Sequence, residues 1–300
     1  MKINFTKVTS VSALKNSVPV VILTEEEVKK SKSKAVKLAK DNFSFTGKAG
    51  QIHLVAAADQ TIVVVGAGTV KEIDDLSLQK VGSSIHAFVN GLKIKDATVI
   101  FGYELNEKGA LTSKNADVKN ACDLAFGALL QSYRFNKYFV DKKKSKDLNV
   151  ENVSFAVADE AKAKKAFKEY EILADNVFFA RDLVSEPSNV LNPESYADIC
   201  KTLKKEGLTV EVLGVKEMTK LNMNALLGVG QGSAKESKLV IFKWNGAKNP
   251  KDQPIAFVGK LIVDAVIAAT ESGDAADRWV VIQWIGVEAV LIVLLAKAVM

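Results

Sequence analysis

The chain has 300 residues, of which 48% are hydrophobic and 25% are charged. This length and balance exclude a disordered chain and allow two domains with separate cores. The formal net charge of +6 comes almost wholly from lysine, because Arg134, Arg181 and Arg278 are the only arginines. So few guanidinium groups do not favour a nucleic-acid partner.

The N-terminal residues and the two cysteines indicate the cellular compartment of the protein. Residues 1–27 contain no long apolar region and no cleavage pattern of small residues, so a cytoplasmic location is expected. Cys122 and Cys200 lie far apart in helix-like stretches, which predicts two buried thiols in a reducing compartment, without a disulfide or a cysteine metal site. The lysine-rich run 141–149 is typical of an exposed loop.

Strand-like and helix-like segments alternate along the first half of the chain. The apolar periodicity predicts consecutive strands at 51–59 and 61–68, a helix at 76–93, a strand at 96–105 and a helix at 115–135. This alternation predicts an α/β layer structure.

A longer helical pattern follows at 161–185. One face of this predicted helix carries Phe167, Tyr170, Ala174, Val177 and Val184. The residue before Pro187 disfavours the α conformation, so the helix is expected to stop there, and a domain junction is expected inside or just after it. The segments of a second α/β unit then follow, namely helix 193–207, strand 208–214, helix 215–230 and strands 238–246 and 254–260.

Two weaker motifs carry no chemistry by themselves. Gly66 and Gly68 follow a strand, but Lys71 stands where a dinucleotide-binding fingerprint needs its third glycine, so a tight strand-to-helix turn is predicted. His53 and His86 stand among apolar neighbours without a second metal-type ligand at a suitable spacing. We expect both to be partly buried histidines with satisfied hydrogen bonds.

Three segments of the second half carry a specific signal. ARDLVSEPSNVLNPESYAD at 180–198, LLGVGQGSAKESKLVIFKWNG at 226–246 and AFVGK at 256–260 occur in this order. Together with the weaker stretches FSFTGKAGQ and SYRFNKY, they resemble the leucyl aminopeptidase (cytosol aminopeptidase) family of dinuclear metallopeptidases over about residues 40–260.

The resemblance implies a fold, an activity and an assembly. It implies an N-terminal α/β domain, a long helix and a catalytic α/β domain that starts after the helix. It also implies release of N-terminal residues from peptides with two divalent ions, Mn²⁺ or Zn²⁺, in a homo-hexamer. The expected boundaries are 1–160 for the N-terminal domain, 161–186 for the linker helix, 187–260 for the first part of the catalytic domain and 261–300 for an aberrant apolar tail.

The resemblance also implies one metal ligand. The lysine that closes VGK binds metal in the family, which gives that role to Lys260 here. A lysine can ligate only as the neutral amine, and a divalent cation can displace its proton much as it lowers the pKa of bound water.

The remaining ligands of such a site are missing from the sequence. The family supplies its carboxylates after the lysine, in Gly-x-x-Phe-Asp-(Ser/Thr)-Gly-Gly, Asp-Met-Gly-Gly and Asn-Thr-Asp-Ala-Glu-Gly-Arg, and none of these occurs here. Asp264 follows Lys260 by four residues where the family has five, and in a strand this slip turns the side chain to the opposite face. Three further carboxylates lack a ligand pattern, namely Asp274, Asp277 and Glu288. No catalytic residue is identifiable.

The composition changes at the same point. Residues 261–300 hold one lysine and one arginine but two of the three tryptophans, and the end is strongly apolar. Its uninterrupted apolar run between Glu288 and Lys297 has only eight residues, well short of the roughly 20 that span a membrane, so no membrane partner is expected. An unpartnered core helix or strand is the preferred interpretation.

Three functional interpretations remain. The preferred one is an aminopeptidase-family chain whose gene is truncated or frameshifted after Lys260 and which is inactive alone. The second is a non-catalytic binding protein that acts through the N-terminal domain, with DNA as the candidate partner. The third is a working peptidase whose missing carboxylates come from a separate chain.

Overall fold

The computed structural model describes residues 1–57, 60–107, 109–113, 116–140 and 149–244. The chain divides into two compact units, of which the first is Met1–Ala174 and the second begins at Asp175. The boundary lies inside a long helix, Glu160–Ser185. Both units mix helices and strands, and the first has a mainly parallel sheet, which confirms the predicted α/β class.

The described residues form ten strands. They are β1 Lys2–Thr6, β2 Val18–Leu23, β3 Ile52–Ala57, β4 Gln60–Gly66, β5 Asp96–Ile100, β6 Tyr103–Leu105, β7 Leu111–Ser113, β8 Asn152–Ala156, β9 Thr209–Leu213 and β10 Leu239–Lys243.

The same residues form eight α-helices and three short 3-10 helices. The α-helices are α1 Glu25–Lys30, α2 Lys34–Phe43, α3 Asp75–Gly91, α4 Val118–Gln131, α5 Glu160–Ser185, α6 Pro193–Thr202, α7 Val215–Lys220 and α8 Asn224–Val229, and the 3-10 helices are Val11–Ala13, Val70–Glu72 and Leu203–Glu206. In the described part of the chain, none of these helices combines the length and apolarity that crossing a membrane requires.

Helix starts follow local capping chemistry. Thr24 and Glu27 form a reciprocal capping box at α1, in which the Thr24 side chain accepts from the Glu27 amide at 3.2 Å. The Asn192 side chain caps α6 directly before Pro193, the first helical residue. Such caps satisfy amide groups that have no partner inside the helix.

The first unit is built on a six-stranded sheet of order β1-β8-β5-β2-β4-β3. All neighbouring strands are parallel except β3 and β4, which form an antiparallel hairpin. The central strand β2 is almost completely buried, and its run VPVVIL suits a strand that is covered on both faces. β3 and β1 are the two edges.

Helix α5 packs on the first unit through its N-terminal half. The Phe167 ring meets the Phe5 ring edge-on, with centroids 5.3 Å apart. Tyr170 stacks with Phe167 at 5.9 Å and meets Phe126 of α4 edge-on at 5.4 Å. Ala163 and Ala174 are fully buried. Aromatic contacts therefore hold this part of α5 against β1 and α4.

The described part of the second unit has a smaller core. Cys200, Leu203, Leu208 and Val210 form one buried cluster. β9 and β10 pair antiparallel in a two-stranded sheet, separate from the six-stranded sheet of the first unit.

Two predicted elements were wrong in extent. The predicted strand 96–105 is two strands, β5 and β6, because the chain turns at Gly102, whose φ is +76°. The predicted helix 215–230 is two short helices, α7 and α8, because Asn222 adopts a left-handed φ of +59° between them. The predicted strand 254–260 lies outside the described residues.

Candidate metal centre

The strands β9 and β10 precede the predicted metal ligand in the chain. They pair from Leu239 opposite Leu213 to Lys243 opposite Thr209. Lys260 and Asp264 lie outside the described residues, as do Asp274, Asp277 and Glu288. Their roles therefore stay predictions.

The described residues do not fit a dinuclear centre. Among them, no three His, Cys, Asp or Glu side chains come together in a way that could hold a metal ion. A two-metal peptidase site needs several carboxylates around both ions. The described part of the chain thus supplies no ligand set, and we derive no reaction step through a metal.

The first unit has an open cavity of about 540 Å³ at the amino ends of β2, β5 and β8. Its polar lining includes Lys15, Asn16, Ser17, Asp96 and Asn152. Asp96 Oδ1 already accepts a hydrogen bond from Asn152 Nδ2 at 2.7 Å. Ligands of parallel α/β sheets bind at the carboxyl ends of the strands, so this cavity is at the wrong end for a typical site.

The two histidines differ in environment. His53 is half-buried, and its ring stacks on Phe43 with centroids 4.9 Å apart. His86 of α3 is only 1% exposed, and neither of its ring nitrogens has a hydrogen-bond partner among the described residues. The expectation of satisfied hydrogen bonds is therefore wrong for His86. Burial, with a contribution from the positive charge of Arg134, lowers its pKa to about 4.

Both cysteines are buried free thiols. Burial raises the pKa of Cys122 to about 11, with smaller contributions from Asp123 and Asp117. Burial likewise raises the pKa of Cys200 to about 11. Thiols with such pKa values hold their protons at neutral pH and are poor nucleophiles and poor metal ligands.

The predicted turn after β4 holds Gly66 and Gly68. Gly68 has a φ of +83°, and the chain then enters the 3-10 helix Val70–Glu72. This is the tight strand-to-helix turn that the sequence predicts.

A polar cluster among the described residues surrounds Asp123 of α4, which is 1% exposed. Its Oδ1 accepts hydrogen bonds from Gln79 Nε2 at 3.2 Å and Tyr170 Oη at 3.1 Å. Its Oδ2 accepts from Lys119 Nζ at 3.0 Å, and Lys119 also pairs with Asp75. We call these five residues the Asp123 network.

The Asp123 network shifts the pKa values of two of its side chains. Burial and then the Asp123 charge raise the pKa of Tyr170 to about 12. The carboxylates of Asp75 and Asp123 raise the pKa of Lys119 above its ordinary value. Both shifts keep the donors protonated at neutral pH, so the buried carboxylate stays hydrogen-bonded. The network joins α3, α4 and α5 through hydrogen bonds and one ion pair, which indicates a structural role.

The sequence reasoning missed this network, although a signal was present. Lys119 and Asp123 are four residues apart on a helix, so they lie on one face. Asp123 also interrupts an otherwise apolar run, ACDLAFGALL. An acidic residue on a buried helical face predicts a compensating partner.

An α/β unit, a long helix and the start of a second α/β unit, in this order, define a two-domain α/β protein. The chain belongs to the cytosol aminopeptidase family. Residues 20–146 match the N-terminal domain of that family and residues 178–263 match its catalytic domain.

Curated relatives agree with this assignment. A probable cytosol aminopeptidase of Caulobacter vibrioides is 53% identical over 145 residues, which are 48% of this chain and 29% of the relative. Another, of Wolbachia pipientis wMel, is 40% identical over 220 residues, 72% of this chain and 40% of the relative. The chain thus spans less than half the length of these relatives.

Solved structures share the fold. A mutant of tomato leucine aminopeptidase superposes with a TM-score of 0.66 at 18% identity, over 80% of this chain and 50% of that one. The bottromycin maturation enzyme BotP, in complex with Mn, superposes with a TM-score of 0.56 at 20% identity, over 77% of this chain and 45% of that one.

Proposed function

We propose that this chain provides the N-terminal domain, the linker helix and the first part of the catalytic domain of a metal-dependent leucyl aminopeptidase. The observation that carries the proposal is the catalytic-domain match over 178–263, because it includes the motif that ends in Lys260. The proposed reaction releases N-terminal residues from peptides. The proposed domain boundaries are those expected from the sequence, with the linker helix at 161–186.

The proposed metal ligand is Lys260, which would bind through its neutral amine. Divalent ions are proposed because the family resemblance implies two of them. The bottromycin maturation enzyme BotP, solved in complex with Mn, supports the same ion class for a protein of this fold. When bound, such ions supply Lewis acidity and a reactive water. Asp264 is a weaker candidate because of its one-residue slip.

We further propose that the 300 residues alone are catalytically inactive. The match to the catalytic domain stops three residues after Lys260, at residue 263. None of the family's carboxylate motifs occurs in residues 261–300. One lysine cannot hold two metal ions, because a catalytic site uses about three protein ligands for each ion and positions its water in the remaining place. A reading-frame change near codon 260 is the proposed origin of this tail.

The oligomeric state and the cellular location of the protein are also proposals. Hexamer formation is proposed from the family resemblance alone, and a cytoplasmic location is proposed because the relatives are described as cytosol aminopeptidases. The comparisons give no support to the alternative of a non-catalytic DNA-binding protein.

A chimera tests the family function separately from the inactivity of this chain. Residues 261–300 are replaced by the corresponding catalytic segment of the Caulobacter relative, and hydrolysis of leucine 4-nitroanilide is measured with Mn²⁺. We expect activity that Lys260→Ala abolishes. Lys243→Ala, which changes an exposed lysine of β10, is the matched control and should retain activity. A chimera that folds, binds Mn²⁺ and remains inactive would contradict the proposed function.

A further inference from the structure

The excess positive charge of this protein is concentrated in one segment. Residues 29–40, here called the lysine segment, hold six lysines and no acidic residue, so their formal charge is +6. The whole chain also has a net charge of +6, from 41 basic and 35 acidic residues. The rest of the chain is therefore neutral overall, and a localised charge of this kind indicates an electrostatic binding surface.

The lysine segment is exposed and unpaired. It runs from the end of α1 through α2, and Lys29, Lys30, Lys32, Lys34 and Lys37 are all exposed. The opposite face of α2 is buried in the core. Within the described part of the chain, none of the six lysines has an acidic partner within ion-pair distance. The three glutamates of α1, Glu25 to Glu27, offset part of this charge without forming an ion pair with the lysines, and the remaining repulsion among the lysines would be relieved by an acidic partner.

Helix α2 packs against β3, an edge of the six-stranded sheet. The contact includes Phe43, whose ring stacks on His53, and Phe45, whose ring meets His53 edge-on at 6.1 Å. No strand among the described residues pairs with the outer side of β3. The lysine segment and an unpaired strand edge are therefore neighbours in the first unit.

The β3 edge lacks the usual protection against pairing. Natural edge strands often carry lysine, proline or a bulge, whereas β3 reads IHLVAA and has no charged residue. The Gly66 amide donates to the Gln51 carbonyl at 2.8 Å, so the alternating pattern turns the backbone groups of Ile52, Leu54 and Ala56 outward. Leu54 is also 38% exposed.

We propose that the β3 edge and the lysine segment together bind an extended acidic peptide segment of a partner protein. The peptide adds a strand to the sheet, and its carboxylates meet the lysines. A second copy of this chain would bring another +6 surface to the same place, so charge disfavours edge-to-edge dimers. Lipid headgroups and nucleic acids have no peptide backbone that could pair with β3, and the lysine segment contains no arginine. The proposal does not depend on the peptidase function.

The test uses an acetylated, fluorescent peptide of about ten alternating glutamate and threonine residues, long enough to cover one strand. Acetylation removes the free amine that an aminopeptidase recognises, so the catalytic function does not affect the readout. Binding to the full chain is measured by fluorescence anisotropy at low and high salt. We expect saturable binding that weakens as salt rises.

Two comparisons separate the charge from the strand edge. Lys34→Glu with Lys37→Glu should weaken binding by about tenfold or more, while Lys162→Glu with Lys168→Glu on exposed α5 positions makes the same charge change and should have little effect. A peptide with N-methyl groups on alternate residues keeps its charge but cannot pair with β3, and it too should bind about tenfold more weakly.

Four results would each overturn the proposal. The first is the absence of binding at low salt, and the second is an equal loss of peptide affinity in the two double lysine variants. The third is unchanged binding of the N-methylated peptide. The fourth is that duplex DNA or phosphatidylglycerol vesicles bind more tightly than the peptide does, in a way that depends on the lysine segment. Circular dichroism of each variant checks that the fold is retained.

Discussion

Asp123 shows how one buried charge fixes the position of a helix. An isolated carboxylate in a protein interior is strongly destabilising, and hydrogen-bonded partners offset that cost. Tyr170 is the donor that α5 contributes, because its hydroxyl reaches Asp123 Oδ1 while its ring packs on Phe126. The hydroxyl therefore adds a directional contact to an otherwise apolar interface.

Removing the Tyr170 hydroxyl should destabilise the first unit. We expect Tyr170→Phe to lower the free energy of unfolding by about 1–2 kcal/mol, since it removes a hydrogen bond to a charged acceptor. Urea unfolding of Tyr170→Phe, Asp123→Asn and the double variant gives the coupling energy of the pair. Strictly additive effects would show that the two side chains do not interact.

His86 should make stability depend on pH. Its pKa is about 4 in the folded chain, below the ordinary 6.5, so the unfolded chain binds more protons between these values. Stability is therefore fully present above about pH 6.5 and is lost as the pH falls towards 4, by up to about 3 kcal/mol.

Urea unfolding at pH 7 and pH 4.5 measures this loss in the native chain and in His86→Leu. The variant should lose distinctly less stability on acidification, because its side chain cannot be protonated. Equal losses in both proteins would mean that His86 is not the titrating group.

At the scale of elements, α3 and α4 pack closely because each has a glycine at the contact. A Cβ atom on Gly82 would lie 2.0 Å from the Leu124 carbonyl oxygen, and one on Gly127 would lie 1.8 Å from the Gln79 carbonyl oxygen. Both distances are far below contact distance, and the obstructing atoms are backbone. The two helices would have to separate to admit a methyl group.

Alanine at either glycine should therefore destabilise the protein despite its higher helix propensity. We expect Gly82→Ala and Gly127→Ala each to cost about 1–3 kcal/mol, as overpacked cores do. Gly91→Ala is the matched control at the end of α3, where a Cβ meets nothing within 4 Å, and it should be neutral or slightly stabilising. Thermal unfolding compares the three variants, and similar melting temperatures for all of them would contradict the packing account.

A helix or strand could be predicted from the sequence where neighbouring residues determine its ends and its apolar face. The periodicity of 76–93 matches α3 closely, since Asp74 caps the helix and its apolar face is continuous. The break at Asn222 was not predictable in the same way, because a non-glycine residue in the left-handed conformation has no strong sequence signal. The Asp123 network joins residues up to 95 positions apart, from Asp75 to Tyr170, which no local pattern reveals. For the metal centre, only the motif around Lys260 was informative, since an isolated lysine is ordinarily a surface residue.

At the scale of the whole molecule, the two units differ in how much core the described residues form. The first unit surrounds a six-stranded sheet, whereas the described part of the second has two small clusters and a two-stranded sheet. Leu221 and Val229 of the second unit are more than half exposed. A two-stranded sheet is marginally stable unless other elements cover it.

Limited proteolysis should therefore leave the first unit as the resistant fragment. We expect mass spectrometry to find a stable product that contains residues 1–174 and early cleavage after residue 186, because local opening is easier where fewer apolar contacts are buried. Recovery of a resistant fragment that begins near residue 187 would contradict this expectation.

The central claim is that the chain has the scaffold of its family but an incomplete metal site. Hydrolysis of leucine 4-nitroanilide by the purified 300-residue chain, with added Mn²⁺ or Zn²⁺, tests it most directly. We predict no hydrolysis above the metal-only background, because Lys260 has no recognisable carboxylate partners in the sequence that follows it. Turnover that disappears in Lys260→Ala would contradict the account and would require the missing ligands to come from a source outside the family motifs.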